Sequence, residues 1–81
     1  MKKIELIGVT VGNTPMIQLT DRLYAKLETY NPSGSIKDRL IYYLLRDAIA
    51  AKEITHETRL IEATSGNTGI SLSLFGAYLG L

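Results

Sequence analysis

From Ile36 to about Glu53 the chain carries apolar residues at helical spacing, with Ile36, Leu40, Leu44 and Ala48 recurring every fourth position beside Ile41, Leu45 and Ile49. Arg39, Arg46 and Glu53 lie seven apart on the opposite side, so the segment reads as an amphipathic helix with one face to bury. Ahead of it, "PMIQL" at 15–19 reads as a short strand. "LYAKLE" at 23–28 sets Leu23, Ala25 and Leu27 against Tyr24, Lys26 and Glu28 with the period of a half-covered strand. Behind it come a further strand candidate, "TRLIEA" at 58–63, the loop "TSGNTG" at 64–69, and an apolar helix starting near Thr68. Strand, helix, strand, helix at this spacing predicts α/β structure, a partial open parallel sheet in βαβα order joined by right-handed crossovers. In such a unit the loops leaving the carboxyl ends of the strands share one edge, where ligands of open α/β sheets bind.

Two loops are expected on that edge. The first, "NPSGSIKDR" at 31–39, breaks with Asn31 and Pro32, turns at Gly34, and offers Ser35 as a helix cap with Asp38 completing an S-x-x-D capping box. Lys37 then falls in the first turn of a helix, where the backbone N–H groups and the dipole disfavour a cation. A neutral lysine amine is a nucleophile that condenses with aldehydes, whereas the plain alternative is a solvated surface lysine. The second loop stacks hydroxyls, an amide and two glycines at a helix start, a place suited to a carboxylate or phosphate and equally to an ordinary capped turn. It matches neither GxxxxGK[ST] nor GxGxxG. An amine and an anion cradle on one edge suit a carbonyl cofactor with an amino-acid substrate.

Composition narrows the classes. The 81 residues amount to at most one small domain, 46% hydrophobic and 21% charged, which is globular. A net charge of +1 with interspersed acids and bases offers no stripe for a nucleic acid. There is no cysteine, and the one histidine, His56, stands beside Glu57, so neither a disulfide framework nor a metal site is expected. Glu5 and Gly8 interrupt "MKKIELIGV" too early for an export signal, which predicts a cytoplasmic protein. Residues 63–81 are uncharged, with Gly76 and Gly80 in GxxxG spacing, but Ser71 and Ser73 leave the apolar run short of a membrane span. A buried helix whose glycines allow close approach to a sheet is expected instead. "GNT" occurs at 12–14 and 66–68 with unlike flanks, so no repeat is read.

"GNTP" at 12–15, "NPSGSIKDR" at 31–39 and "EATSGNTG" at 62–69, in that order and spacing, resemble the N-terminal part of the cysteine synthase (O-acetylserine sulfhydrylase) branch of the fold type II pyridoxal-phosphate enzymes. The resemblance spans nearly the whole chain. It implies that residues 1–81 are a single incomplete N-terminal segment of a β-replacement enzyme with pyridoxal 5'-phosphate as cofactor. By position, Lys37 matches the lysine that forms the Schiff base and later moves the α-proton, and Asn67 matches the asparagine bonded to the cofactor's ring hydroxyl. Thr64, Ser65, Gly66, Asn67 and Thr68 match the loop that closes on the substrate α-carboxylate. The implied reaction takes O-acetylserine, expels acetate and adds sulfide to give L-cysteine, with full-length relatives as homodimers. Members of this branch are several times longer, and their phosphate-binding glycine loop and the residue facing the pyridine nitrogen have no counterpart here. An end at Leu81, inside an apolar helix with no expected cap or turn, also reads as a cut. Cystathionine β-synthase, a serine or threonine dehydratase of the same superfamily, and a non-catalytic truncated binding partner are the alternatives.

Overall fold

The computed structural model describes residues 3–81; Met1 and Lys2, which open the stretch read above as lacking an export signal, lie outside the described residues. The two early strand candidates both form, as β1 (Met16–Thr20) and β2 (Leu23–Lys26). They pair with each other, antiparallel, across a turn at Asp21 and Arg22, with an irregularity in register between Gln18 and Thr20. This sheet is two-stranded, and no residue of it is buried.

The expected parallel sheet in βαβα order is therefore not what the described residues form. Residues 58–63 run without assigned strand structure, and Ile61 is 86% exposed. The physical reason is one of partners: a strand exists only where a neighbour's backbone can pair with it, and a hairpin closes locally while a parallel pair requires a long crossover. β1 and β2 take the local, antiparallel pairing, and 58–63 joins neither of their outer edges.

The amphipathic helix forms as α1 (Lys37–Ala50) and the apolar one as α2 (Asn67–Leu79). They pack together with a 3-10 turn at Ile4–Ile7. Ile4, Ile41, Leu45, Phe75 and Leu79 make the buried core, with Tyr42 edge-on to Phe75 at 6.0 Å between ring centroids. Of the apolar residues on α1, Ile41 and Leu45 are buried and Ile49 is partly covered, while Ile36 at its start, Leu40 and Leu44 each remain more than half exposed.

The glycines of α2 act as expected in part. Gly76 is buried, and the space where its side chain would stand is bounded by Leu60. Gly80 closes the helix in a left-handed conformation, φ 79°, with its N–H donating to the Ala77 carbonyl and the Leu81 N–H donating to that of Gly76. This double bond pattern is a Schellman motif. It corrects the expectation that α2 would lack a terminating turn. Among the described residues, no helix is long and apolar enough to cross a membrane.

Candidate functional site

Lys37 is the first residue of α1 and is exposed, and its amine makes no hydrogen bond or ion pair among the described residues. The turn before it is built differently from the expected capping box. Gly34 is left-handed as expected, φ 97°, and the Ser35 hydroxyl accepts only from the Lys37 N–H, at 3.2 Å. Asp38 turns instead to Ser33, accepting from its N–H at 2.6 Å and from its hydroxyl. Its carboxylate also accepts from the Ser71 hydroxyl of α2 at 2.5 Å, and Asp38 has no solvent exposure. Three donors on one buried carboxylate offset the cost of removing it from water.

Arg39, the next residue, reaches the other way. Its Nε donates to Glu28 at 2.6 Å, and Glu28 also accepts from the Thr14 hydroxyl at 2.5 Å and from the Asn31 amide at 3.1 Å. Donation from Arg39 and then from Thr14 holds the Glu28 carboxyl well below its usual range, at about 2, against the opposing effect of burial. The Asn31 side-chain oxygen accepts from the Gly12 N–H at 2.7 Å, and Lys26 donates to the Thr14 carbonyl at 2.9 Å. Gly12 is left-handed, φ 80°, and a Cβ there would stand 3.0 Å from the Arg39 guanidinium. "GNTP" is thus seated on "NPSGSIKDR" through Gly12, Thr14, Glu28, Asn31 and Arg39.

The 64–69 loop leads into α2 and is exposed up to Asn67. The Thr64 hydroxyl accepts from the N–H groups of Gly66 and Gly69, each at 3.2 Å. Thr64 therefore does the capping that a residue nearer the helix would normally do. A Cβ on Gly69 would collide with the Thr64 methyl group, so the glycine is what lets Thr64 lie over the turn. The N–H groups of Ser65, Asn67 and Thr68, and the side chains of those residues, make no hydrogen bond among the described residues. Ser65 also lines a shallow hollow, together with Thr64, Gly66, Gly69, Ile70 and Ser73. Unpaired donors at a helix start are suited to an anion.

The Asp38–Ser71 bond joins the first turn of α1 to α2 one helical turn after Asn67. Lys37 and the 64–68 loop are brought to the same end of the helix pair by this bond and by the core below it, without the sheet edge that was expected to gather them.

A family model described as "Pyridoxal-phosphate dependent enzyme" matches residues 7–81. The chain belongs to the pyridoxal-phosphate-dependent enzyme family. It is 48% identical over 84 residues to a protein of Campylobacter jejuni named cysteine synthase B, an alignment that takes in 100% of this chain and 28% of that protein. It is 51% identical over 81 residues to cystathionine beta-synthase of Saccharomyces cerevisiae, covering 86% of this chain and 16% of that one. An O-acetylserine dependent cystathionine beta-synthase of Bacillus subtilis is 46% identical over 88 residues, covering 100% and 29%. The chain spans less than a third of the length of each of these relatives. The resemblance drawn from its three motifs thus agrees with the family and with the names of its relatives, and its expected incompleteness agrees with the small share of each that it covers.

Four residues of this arrangement were not singled out from the sequence as parts of the site: Glu28, Arg39, Ser71 and, in its actual role, Asp38. The signal was present in the charged pair that follows Lys37, two adjacent residues on a helix that point to different faces. Adjacent charges so placed can each tie the first turn to a different neighbour.

Proposed function

We propose that this chain supplies the lysine and carboxylate-loop portion of a pyridoxal-phosphate enzyme that forms L-cysteine from O-acetylserine and sulfide by β-replacement. The reading is supported by an uncommitted amine, Lys37, in the first turn of α1 and by the unpaired N–H and polar side-chain groups of Ser65, Asn67 and Thr68 at the start of α2, the two helix starts being tied by the Asp38–Ser71 hydrogen bond. These groups fit the cofactor's aldehyde and a substrate carboxylate, since neither has to break an existing bond to reach them. The cysteine synthase name of the Campylobacter jejuni relative supports the choice of reaction.

Pyridoxal phosphate, when bound, supplies the electron sink that makes an α-proton removable. Lys37 would hold the cofactor through its Nζ and, with that amine free, would take the α-proton of the substrate at the same atom. Asn67 would hydrogen-bond the cofactor's ring hydroxyl. Ser65, Gly66, Asn67 and Thr68 bind the substrate carboxylate, and Thr64, whose hydroxyl is already engaged by Gly66 and Gly69, shapes that loop from beneath. The complete enzyme acts as a homodimer on small molecules in the cytoplasm.

The relatives named cystathionine beta-synthase favour a second reading in which the same residues activate the amino acid and a different sulfur nucleophile completes the replacement. Lys37→Ala and Lys37→Arg, introduced into the complete enzyme carrying this segment, test the shared part. Both should abolish the visible absorbance of lysine-bound cofactor and lower turnover by orders of magnitude, because arginine offers no neutral amine. Borohydride fixation of the cofactor on any lysine other than Lys37 would overturn the assignment. Product analysis with sulfide against other thiols separates the two readings.

A further inference from the structure

We infer that Asp38 and Ser71 are positioning residues, which together set the place of the Lys37 amine relative to the 64–68 loop; the inference rests on the reading of Lys37 given above. Asp38 is fully buried, next in sequence to Lys37, and faces away from it into the helix pair. Two of its hydrogen bonds fix the turn that launches α1, through the N–H and hydroxyl of Ser33. The third crosses to Ser71, one helical turn along α2 from Asn67. The core residues Ile41, Leu45, Phe75 and Leu79 hold the helices together beyond their first turns. At this end, the bond across the pair is the one between Asp38 and Ser71 among the described residues.

The chemistry explains why such a link matters. Lys37 has to serve two positions in turn, bonded to the cofactor and then withdrawn to handle a proton, while the substrate carboxylate is held by the other loop. A misplacement of about 1 Å between such groups costs on the order of 100-fold in rate. A carboxylate accepting from three hydroxyl and amide donors is a directional tie, whereas apolar packing tolerates small shifts.

The test uses the complete enzyme carrying this segment, with Ser71→Ala, Ser71→Thr and Asp38→Asn. Ser71→Ala removes one donor and leaves Asp38 with two, so the fold should survive, with midpoint of thermal unfolding and cofactor content close to the parent. Its kcat should fall about 10- to 100-fold, with a smaller change in KM. In the cofactor-free protein, amide exchange at Gly69, whose N–H is tied to Thr64 and Gly66, should quicken several-fold. Ser71→Thr keeps the hydroxyl and should restore both readouts. Asp38→Asn presents an amide where three donors converge and should behave as Ser71→Ala or worse; should it not fold, the two Ser71 variants decide. A Ser71→Ala enzyme within twofold of the parent in kcat and unchanged in amide exchange would overturn the inference. That outcome, with Lys37→Ala still inactive, would leave the role of Lys37 standing; activity retained in Lys37→Ala would instead remove the reading on which the inference rests.

Discussion

Arg39 Nε lies 2.6 Å from a carboxylate oxygen of Glu28, and this ion pair seats the exit of the β-hairpin against the first turn of the helix that bears Lys37. Glu28 is partly buried, and the donors around it hold its carboxyl at about 2 against an ordinary value of 4.5. The unfolded chain therefore binds more protons than the folded one between those two values. The stabilisation is complete above about pH 4.5, declines as the pH falls toward about 2, and is gone below it. Urea unfolding midpoints measured across that window should fall with pH in the parent chain. Glu28→Gln should lower the midpoint at neutral pH and flatten its fall over the same window. An unchanged acid dependence in Glu28→Gln would place the sensitivity elsewhere.

Leu44 and Leu45 are neighbours with opposite fates, 56% and 1% exposed. Truncating Leu45 to alanine removes a side chain held among Ile4, Ile41, Phe75 and Leu79 and should cost about 2–5 kcal/mol. For a chain this small, that is a large part of the whole stability, at about 0.05–0.15 kcal/mol per residue. Leu44→Ala should stay within about 0.5 kcal/mol. Equal losses in chemical denaturation of the isolated chain would mean that the apolar face of α1 is turned differently from the face described.

That contrast shows where the sequence was legible and where it was not. The helical spacing of α1 could be read from Ile36 to Glu53, and the strands at 16–20 and 23–26 from their alternation, because both patterns are local. Which side of α1 is buried was not legible, since the buried side contains Asp38, and a buried carboxylate makes sense only once Ser33 and Ser71 are seen to supply its donors. The pairing of strands was misjudged for a related reason: alternation specifies a face but never a partner, and "TRLIEA" has a strand's composition with no strand beside it. In the proposed site, the turns that carry Lys37 and residues 64–68 were legible as turns at helix starts, and their assignment to a site comes from motif order. Arg39 and Ser71 were hidden because their partners, Glu28 and Asp38, lie 11 and 33 residues away in sequence.

Cofactor binding by residues 1–81 alone should be weak and shared among lysines. Lys37 is exposed, and so are Lys3, Lys26 and Lys52, so water reaches any adduct formed on them. Titration of the purified chain with pyridoxal phosphate should give similar visible absorbance in the parent and in Lys37→Ala. A saturable signal that vanishes with Lys37 would show that this segment by itself carries a defined site.

The turn at 64–69 offers a sharper test, since its geometry depends on one methyl group. Thr64 uses its hydroxyl to cap the N–H groups of Gly66 and Gly69, and its methyl occupies the space that a side chain at position 69 would need. Gly69→Ala forces the two apart. The variant should lose the cap, a loss of about 1 kcal/mol, even though alanine is favoured over glycine inside a helix by about 1 kcal/mol. Thr64→Ser keeps the hydroxyl and deletes the methyl, and the remaining Thr64 atoms stand 3.6 Å from the new Cβ, an ordinary contact. The double variant Thr64→Ser with Gly69→Ala should therefore recover the stability of the parent or exceed it, and should do so only as a pair. Amide exchange at residues 66 and 69 reports on the cap directly: fast in Gly69→Ala, slow again in the double variant. A Gly69→Ala chain with parental exchange and stability would show that Thr64 does not lie over the turn, and the account of that loop would fall with it.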